Sequence, residues 1–341
     1  MSRSLTRTCL LLALVASSCT RSGEEAVRVA FVQDLGAPDA EEHVQPALQA
    51  AELAVAMQAP NGVSVELVSF DLAEEPSAIE EIASDPSFVA AIVGPGADGS
   101  ELAEAGVPVV SISTAGPTPS GGTWRRFVAP MDAVAEAIAQ ELAGSEACVL
   151  SEEPPPDGLA DLLLERLGGA VATLDPAEAS SFLQGSGCDA AAWAGSPDPG
   201  AELARALAPA IGLVGGDRLL DPDFLDAGPA ADGARAVCAC ADLSTSIVPA
   251  ASRFIQDYQS EFGTAPGAYA VESWDATRVI LEALSGGSSR ERVAASIAGL
   301  DLFEGLATTY RFAASGELDG GAHTVTVSEL RAGRWVSGTS A

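Results

Sequence analysis

The 341-residue chain carries 48 Asp plus Glu against 17 basic residues, all of them Arg, for a formal charge of −31 at pH 7. That surplus of acid excludes nucleic acid and anionic membrane surfaces as partners, because both would repel it. With 48% hydrophobic and 19% charged residues the chain can bury a core, and its length fits about two domains.

The first 18 residues read as an export signal. Arg3 and Arg7 precede the apolar run 10–16, which is far short of the roughly 20 residues that cross a bilayer. Ala16-Ser17-Ser18-Cys19 follows and resembles the lipobox of bacterial lipoproteins, with Ala16 where Leu is usual. The resemblance implies that Cys19 is lipidated and that residues 19–25 form a tether. Several acyl chains on one Cys would hold a membrane stably, where a single chain is marginal. An ordinary secretory signal with a stray Cys is the alternative.

Beyond the leader, strand and helix patterns alternate. A strand at 27–32 leads to a helix at 41–58, with Val44, Leu48, Ala51 and Val55 on one stripe. Strands at 63–70, 88–93 and 107–112 alternate with helices at 77–84, 99–104 and 131–143. A second series has strands at 147–151, 170–174, 190–194 and 211–215 with helices at 158–167 and 201–208. Helices at 249–262 and 270–284 follow, and the tail is strand-like at 308–312 and 324–327. Repeated βα units with short turns predict an α/β fold of two doubly wound lobes with parallel sheets covered on both faces. A ligand would sit beyond the carboxyl ends of the strands or between the lobes.

Chemistry-bearing motifs are sparse. With Cys9 in the signal and Cys19 acylated, Cys148, Cys188, Cys238 and Cys240 remain. Cys238 and Cys240 share one face of a strand-like segment and are not expected to bond each other. Buried thiols, or one bridge between distant Cys, are both open. His43 and His323 lack paired ligand spacing, so neither a metal nor a cofactor is expected. Gly94-Pro95-Gly96-Ala97-Asp98-Gly99 satisfies G-x-G-x-x-G, but Asp98 would set a negative charge where a pyrophosphate should lie. A tight ligand-facing turn is the better reading. No nucleophile elbow is present, and the acid pair Glu152-Glu153 reads as solvated loop charge, so no enzyme is expected.

From residue 26 onward, several segments in order resemble the type I periplasmic binding proteins of the branched-chain amino acid transporter group. They are 88–99 with Gly94-Pro95, 107–113, 214–224, Ala231-Asp232-Gly233, 254–266 followed by Ala268-Tyr269-Ala270 and Trp274-Asp275-Ala276, and 305–335. The resemblance implies two lobes joined by three hinge crossovers, with lobe 1 at 26–142 plus 268–322 and lobe 2 at 143–267 plus 323–341. It also implies a monomer that closes on a small ligand for an ABC transporter permease, exported to the periplasm or cell surface. Carried over position by position, the family's ligand-contacting serine becomes Asp98, and its Ser-Ala-Thr loop becomes Ser113-Thr114-Ala115, with the Thr hydroxyl moved by one residue. The acid that holds the ligand ammonium is matched by Asp217. The family's aromatic lids are replaced by His43, Pro155 and Ser196. Asp98 beside a ligand carboxylate would be repulsive, so the expected ligand is a cationic or neutral small molecule without a free carboxylate, or none bound tightly. A non-transport lipoprotein of the same fold, acting through protein contacts as activators of penicillin-binding proteins do or as a ligand sensor, is the alternative.

Overall fold

Strand segments that are apolar along their whole length, such as Phe88–Val93 with every residue buried, need cover on both faces. In a computed structural model, residues 26–36, 40–119, 122–152, 158–168, 171–173, 181–183, 185–207, 210–244, 246–319 and 325–338 are described. The export signal, Cys19 and Pro155 lie outside these residues, as does the His43 side chain. Among the described residues, no helix is long and apolar enough to cross a membrane.

The first sheet is parallel throughout. Its strands β1 (Val27–Gln33), β2 (Val65–Asp71), β3 (Phe88–Val93), β4 (Val109–Ser111) and β5 (Trp124–Arg126) lie in the order β2-β1-β3-β4-β5. Helices α1 (Ala40–Gln58), α2 (Ala78–Ser84) and α3 (Ser100–Glu104) connect them. The chain then enters α4 (Met131–Glu141) and a second sheet, built from β6 (Ala147–Ser151), β7 (Val171–Thr173), β8 (Ala190–Ala194), β9 (Gly212–Gly215) and β10 (Arg235–Cys238). Helices α5 (Leu159–Leu167) and α6 (Pro197–Leu207) and two 3-10 turns (Asp217–Leu220 and Pro222–Ala231) lie between its strands. Helices α7 (Pro249–Phe262), α8 (Ala270–Leu284) and α9 (Arg290–Ala298) follow, then the hairpin β11 (Leu302–Glu304) and β12 (Thr309–Arg311). Finally β13 (Thr326–Arg331) and β14 (Arg334–Ser337) return to the second sheet, whose order is β14-β13-β10-β9-β8-β6-β7. Its strands are parallel up to β10 and antiparallel beyond it.

The packing moves two helices from the sides expected of them. The α4 helix rests on α5, β9 and β10 of the second sheet, not on the first. Helix α7 packs Phe254 and Tyr258 against Ala50, Leu53 and Ala54 of α1 and Val271 and Trp274 of α8. An amphipathic stripe specifies that a helix face is buried, not which sheet buries it. The chain passes between the sheets at 127–130 and 239–248. A third connection includes 320–324, outside the described residues.

Two disulfides form, Cys148–Cys188 and Cys238–Cys240. The second overturns the expectation that this pair stays unbonded. Two residues along an ideal strand lie nearly 7 Å apart, but the backbone bends directly after β10 and brings these Cα atoms to 5.1 Å.

Candidate functional site

The loops after β3, β4, β6, β8 and β9 carry the polar side chains at the carboxyl ends of both sheets, where open α/β folds receive ligands. After β3, Asp98 Oδ1 accepts the Ser100 N–H at 2.9 Å, an Asx turn that leads into α3, whose N-cap is Gly99. The turn is glycine-dependent: Gly96 sits at φ +79°, and a Cβ on Gly99 would meet Val93 Cγ2 at 2.2 Å. Asp98 also lies against the next loop, since a Cβ on Gly116 would come within 2.6 Å of Asp98 Oδ1.

That next loop, 113–116, turns its peptide groups in a defined way. Ser113 spends its hydroxyl locally, accepting the Ala115 N–H at 3.0 Å. The Thr114 carbonyl accepts the Met131 N–H at 3.1 Å, at the entry to α4. The carbonyls of Ser113, Ala115 and Gly116 all receive hydrogen bonds from the guanidinium of Arg126. In a trans peptide the N–H points opposite to the preceding C=O, so the Thr114 and Gly116 N–H groups face away from Arg126. Neither has a partner among the described residues.

On the second sheet, Glu152 follows β6, and its Oε1 accepts both the Ser196 N–H at 2.8 Å and the Ser196 hydroxyl at 2.6 Å. Glu152 is thus a structural partner of Ser196, not the solvated loop charge expected of it. Asp217 opens the 3-10 turn after β9 and accepts the Tyr269 hydroxyl on Oδ2. Tyr269 is 2% exposed and sits at φ +62°. A bulky residue in the left-handed region costs on the order of 1 kcal/mol or more, and the bond to Asp217 holds it there. A cavity of about 510 Å³ opens beside Asp217, lined in part by Gln45, Gln49, Tyr258 and Phe262. The Tyr258 hydroxyl donates to Gln49 Oε1 at 2.7 Å, and burial pushes its phenol up to about 12.

The predicted site residues thus fall into separate groups. Asp98 adjoins the loop that carries Ser113 and Thr114, Ser196 is paired with Glu152, and Asp217 is joined to Tyr269. Arg126, Glu152 and Tyr269 had no motif to announce them. Only the resemblance around Ala268-Tyr269-Ala270 touched one of the three. Near the 239–248 crossing, Glu272 of α8 is fully buried, its Oε1 accepts the Ala241 N–H at 2.6 Å, and its Oε2 has no partner. Burial raises Glu272 to about 8 and Asp275 to about 6. Among the described residues, no cluster of three or more His, Cys, Asp or Glu is placed to hold a metal.

Comparison with known proteins follows the same outline. A family model described as periplasmic binding protein matches residues 26–334. A leucine binding protein from Thermotoga maritima superposes with a TM-score of 0.74 at 20% identity, over 92% of this chain and 98% of that one. A branched-chain amino acid transporter substrate binding protein from Streptococcus pneumoniae, solved with isoleucine, gives 0.76 at 18% identity over 92% and 100%. A solute binding protein from R. palustris, solved with benzoate, gives 0.70 at 18% identity over 92% and 95%. No curated protein matches at the sequence level.

Proposed function

The chain belongs to the periplasmic binding protein family, and from that premise we propose that it captures a small amine-bearing solute between its two lobes for an ABC transporter permease. It is a non-enzymatic solute-binding protein of the periplasm, as its family is. In our reading Cys19 anchors it to a membrane as a lipoprotein, and it works as a monomer.

The observation that carries the ligand class is Asp217, a carboxylate fixed by the Tyr269 hydroxyl at the carboxyl end of β9. A fixed carboxylate suits a protonated amine through a charge-assisted hydrogen bond. In our reading the far end of the ligand meets the 98 and 113–116 loops. The Thr114 and Gly116 N–H groups are free to donate, while Asp98 lies directly beside Gly116. Two like charges at ~4 Å repel by about 4 kcal/mol at an effective dielectric near 20. Exposure of Asp98 reduces that cost but does not change its sign. A neutral acceptor, such as an amide or hydroxyl, avoids the repulsion and still takes the N–H bonds. The relatives solved with isoleucine or benzoate hold ligands that carry a carboxylate; in our reading Asp98 turns this chain away from such ligands.

Native mass measurement of freshly purified protein, followed by calorimetry with leucinamide, leucinol and leucine, tests the reading. The amide or alcohol is expected to bind more tightly than the free amino acid. Tight binding of leucine or valine with no gain for the amide would sink it.

A further inference from the structure

We propose that Arg126 is a positioning residue for the cleft: it sets the 113–116 loop with its N–H groups outward and ties that loop to the 127–130 crossing and to the 316–317 turn. The inference rests on the reading above that this loop contacts the ligand.

Arg126 is the last residue of β5 and is 1% exposed. A buried guanidinium is tolerated only when its donors are met. Here Nη1 donates to the Ser113 and Ala115 carbonyls, both at 3.0 Å, and Nη2 to the Gly116 carbonyl at 3.1 Å. Its Nε pairs with Glu317, 3.1 Å from Oε1 and 3.0 Å from Oε2. Three carbonyls of a four-residue loop therefore point at one cation, and the intervening N–H groups are turned away from it. A Lys ammonium is a single point on a flexible stem and cannot span the same fan of acceptors.

The same residue stands at a junction. The 127–130 crossing begins directly after it. Its own N–H bonds the Gly316 carbonyl at 2.9 Å, so the turn that carries Glu317 is docked on the end of β5. That turn admits only glycine at 316, where φ is +88° and a Cβ would lie 2.0 Å from the Trp124 carbonyl oxygen. Glu317 also accepts the Thr118 hydroxyl at 2.7 Å, and the chain runs on from there into the connection that returns to β13. The 113–116 loop, the start of the 127–130 crossing and the 316–317 turn thus share one ion pair.

The test compares wild type, Arg126→Lys and Glu317→Gln, with Arg126→Gly supplemented by methylguanidinium. Hydrogen exchange of the ligand-free proteins reads the loop, and calorimetry with leucinamide reads binding. Arg126→Lys is expected to speed exchange of the hydrogen-bonded Ser113 and Ala115 amides at least tenfold while α5 and α6 exchange as in wild type, and to weaken leucinamide at least tenfold. Methylguanidinium should recover both in Arg126→Gly. Unchanged loop exchange in Arg126→Lys would overturn the assignment, as would acceleration spread evenly over the whole chain. If wild type binds no amine probe, the ligand reading fails, while loop exchange still decides the role of Arg126.

Discussion

Glu272→Gln should stabilise this protein at neutral pH and do nothing for it at pH 5. Glu272 is fully buried on α8 and raised to about 8 by desolvation, with Asp275 on the same helix pushing further in that direction. Its unfolded value is near 4.5. Between those two values the folded state binds more protons than the unfolded one, so stability falls as pH rises. The contribution is complete below about pH 4.5 and fully lost above about pH 8. At pH 7, taking up that proton costs about 3 kcal/mol, at roughly 1.4 kcal/mol for each pH unit above the unfolded pKa. A glutamine is neutral throughout and keeps an oxygen for the Ala241 N–H. Its amide nitrogen would occupy the place of Oε2, which has no partner, at a cost of about 1 kcal/mol. The net gain is about 2 kcal/mol near neutrality, or roughly 4 °C in Tm for a chain of this size. Calorimetric scans at pH 5.0 and 7.5 measure it. Asp275, raised to about 6 and answered by Arg278, the Tyr310 hydroxyl and the Leu306 and Ala307 N–H groups, keeps a residual slope in the variant. An equal Tm shift at both pH values, or destabilisation at pH 7.5, would refute the reasoning.

Other substitutions probe the cleft and the core. Asp98→Asn removes the charge beside Gly116 and should improve leucine affinity about tenfold, the screened remnant of the repulsion, with leucinamide little changed by calorimetry. Asp217→Asn should weaken amine ligands by at least tenfold, since a charge-assisted bond becomes a neutral one, while Tm moves little. Phe254→Ala empties a ring site between α7, α1 and α8 and should cost about 3–5 kcal/mol by chemical denaturation.

Particular elements show what could be read in advance. The apolar runs of β1 and β3 and the stripe on α1 announced parallel strands covered by helices, and the periodicities of two and 3.6 are local properties of a chain. The Gly94–Gly99 turn was legible for the same reason, because positive φ and close approach are demands on single positions. Short elements escaped. The three residues of β5 and the nine of α9 carry too little pattern, yet β5 brings Arg126 to the 113–116 loop. Arg125 beside it ties the Ala298 and Leu300 carbonyls, and Arg290 gathers those of Ile82, Ala83, Asp85 and Phe88. In a chain without Lys, the buried Arg125 and Arg126 and the half-buried Arg290 act as clamps on backbone carbonyls, a use that composition alone does not reveal.

What the amino-acid order determined by itself is the alternation of elements, the doubly wound class, the turns, and the place of Asp217 at a strand end. What only the tertiary structure decided is which sheet each of α4 and α7 covers, the closing of Cys238 on Cys240, and the surroundings of every carboxylate. Glu152 meets Ser196, Asp217 meets Tyr269, and Glu272 meets Ala241 across separations of 44, 52 and 31 residues. The reason is physical. A backbone period acts over a few residues, whereas the state of a charged group depends on the donors and the dielectric around it. Those are supplied by whatever distant segments the fold brings there.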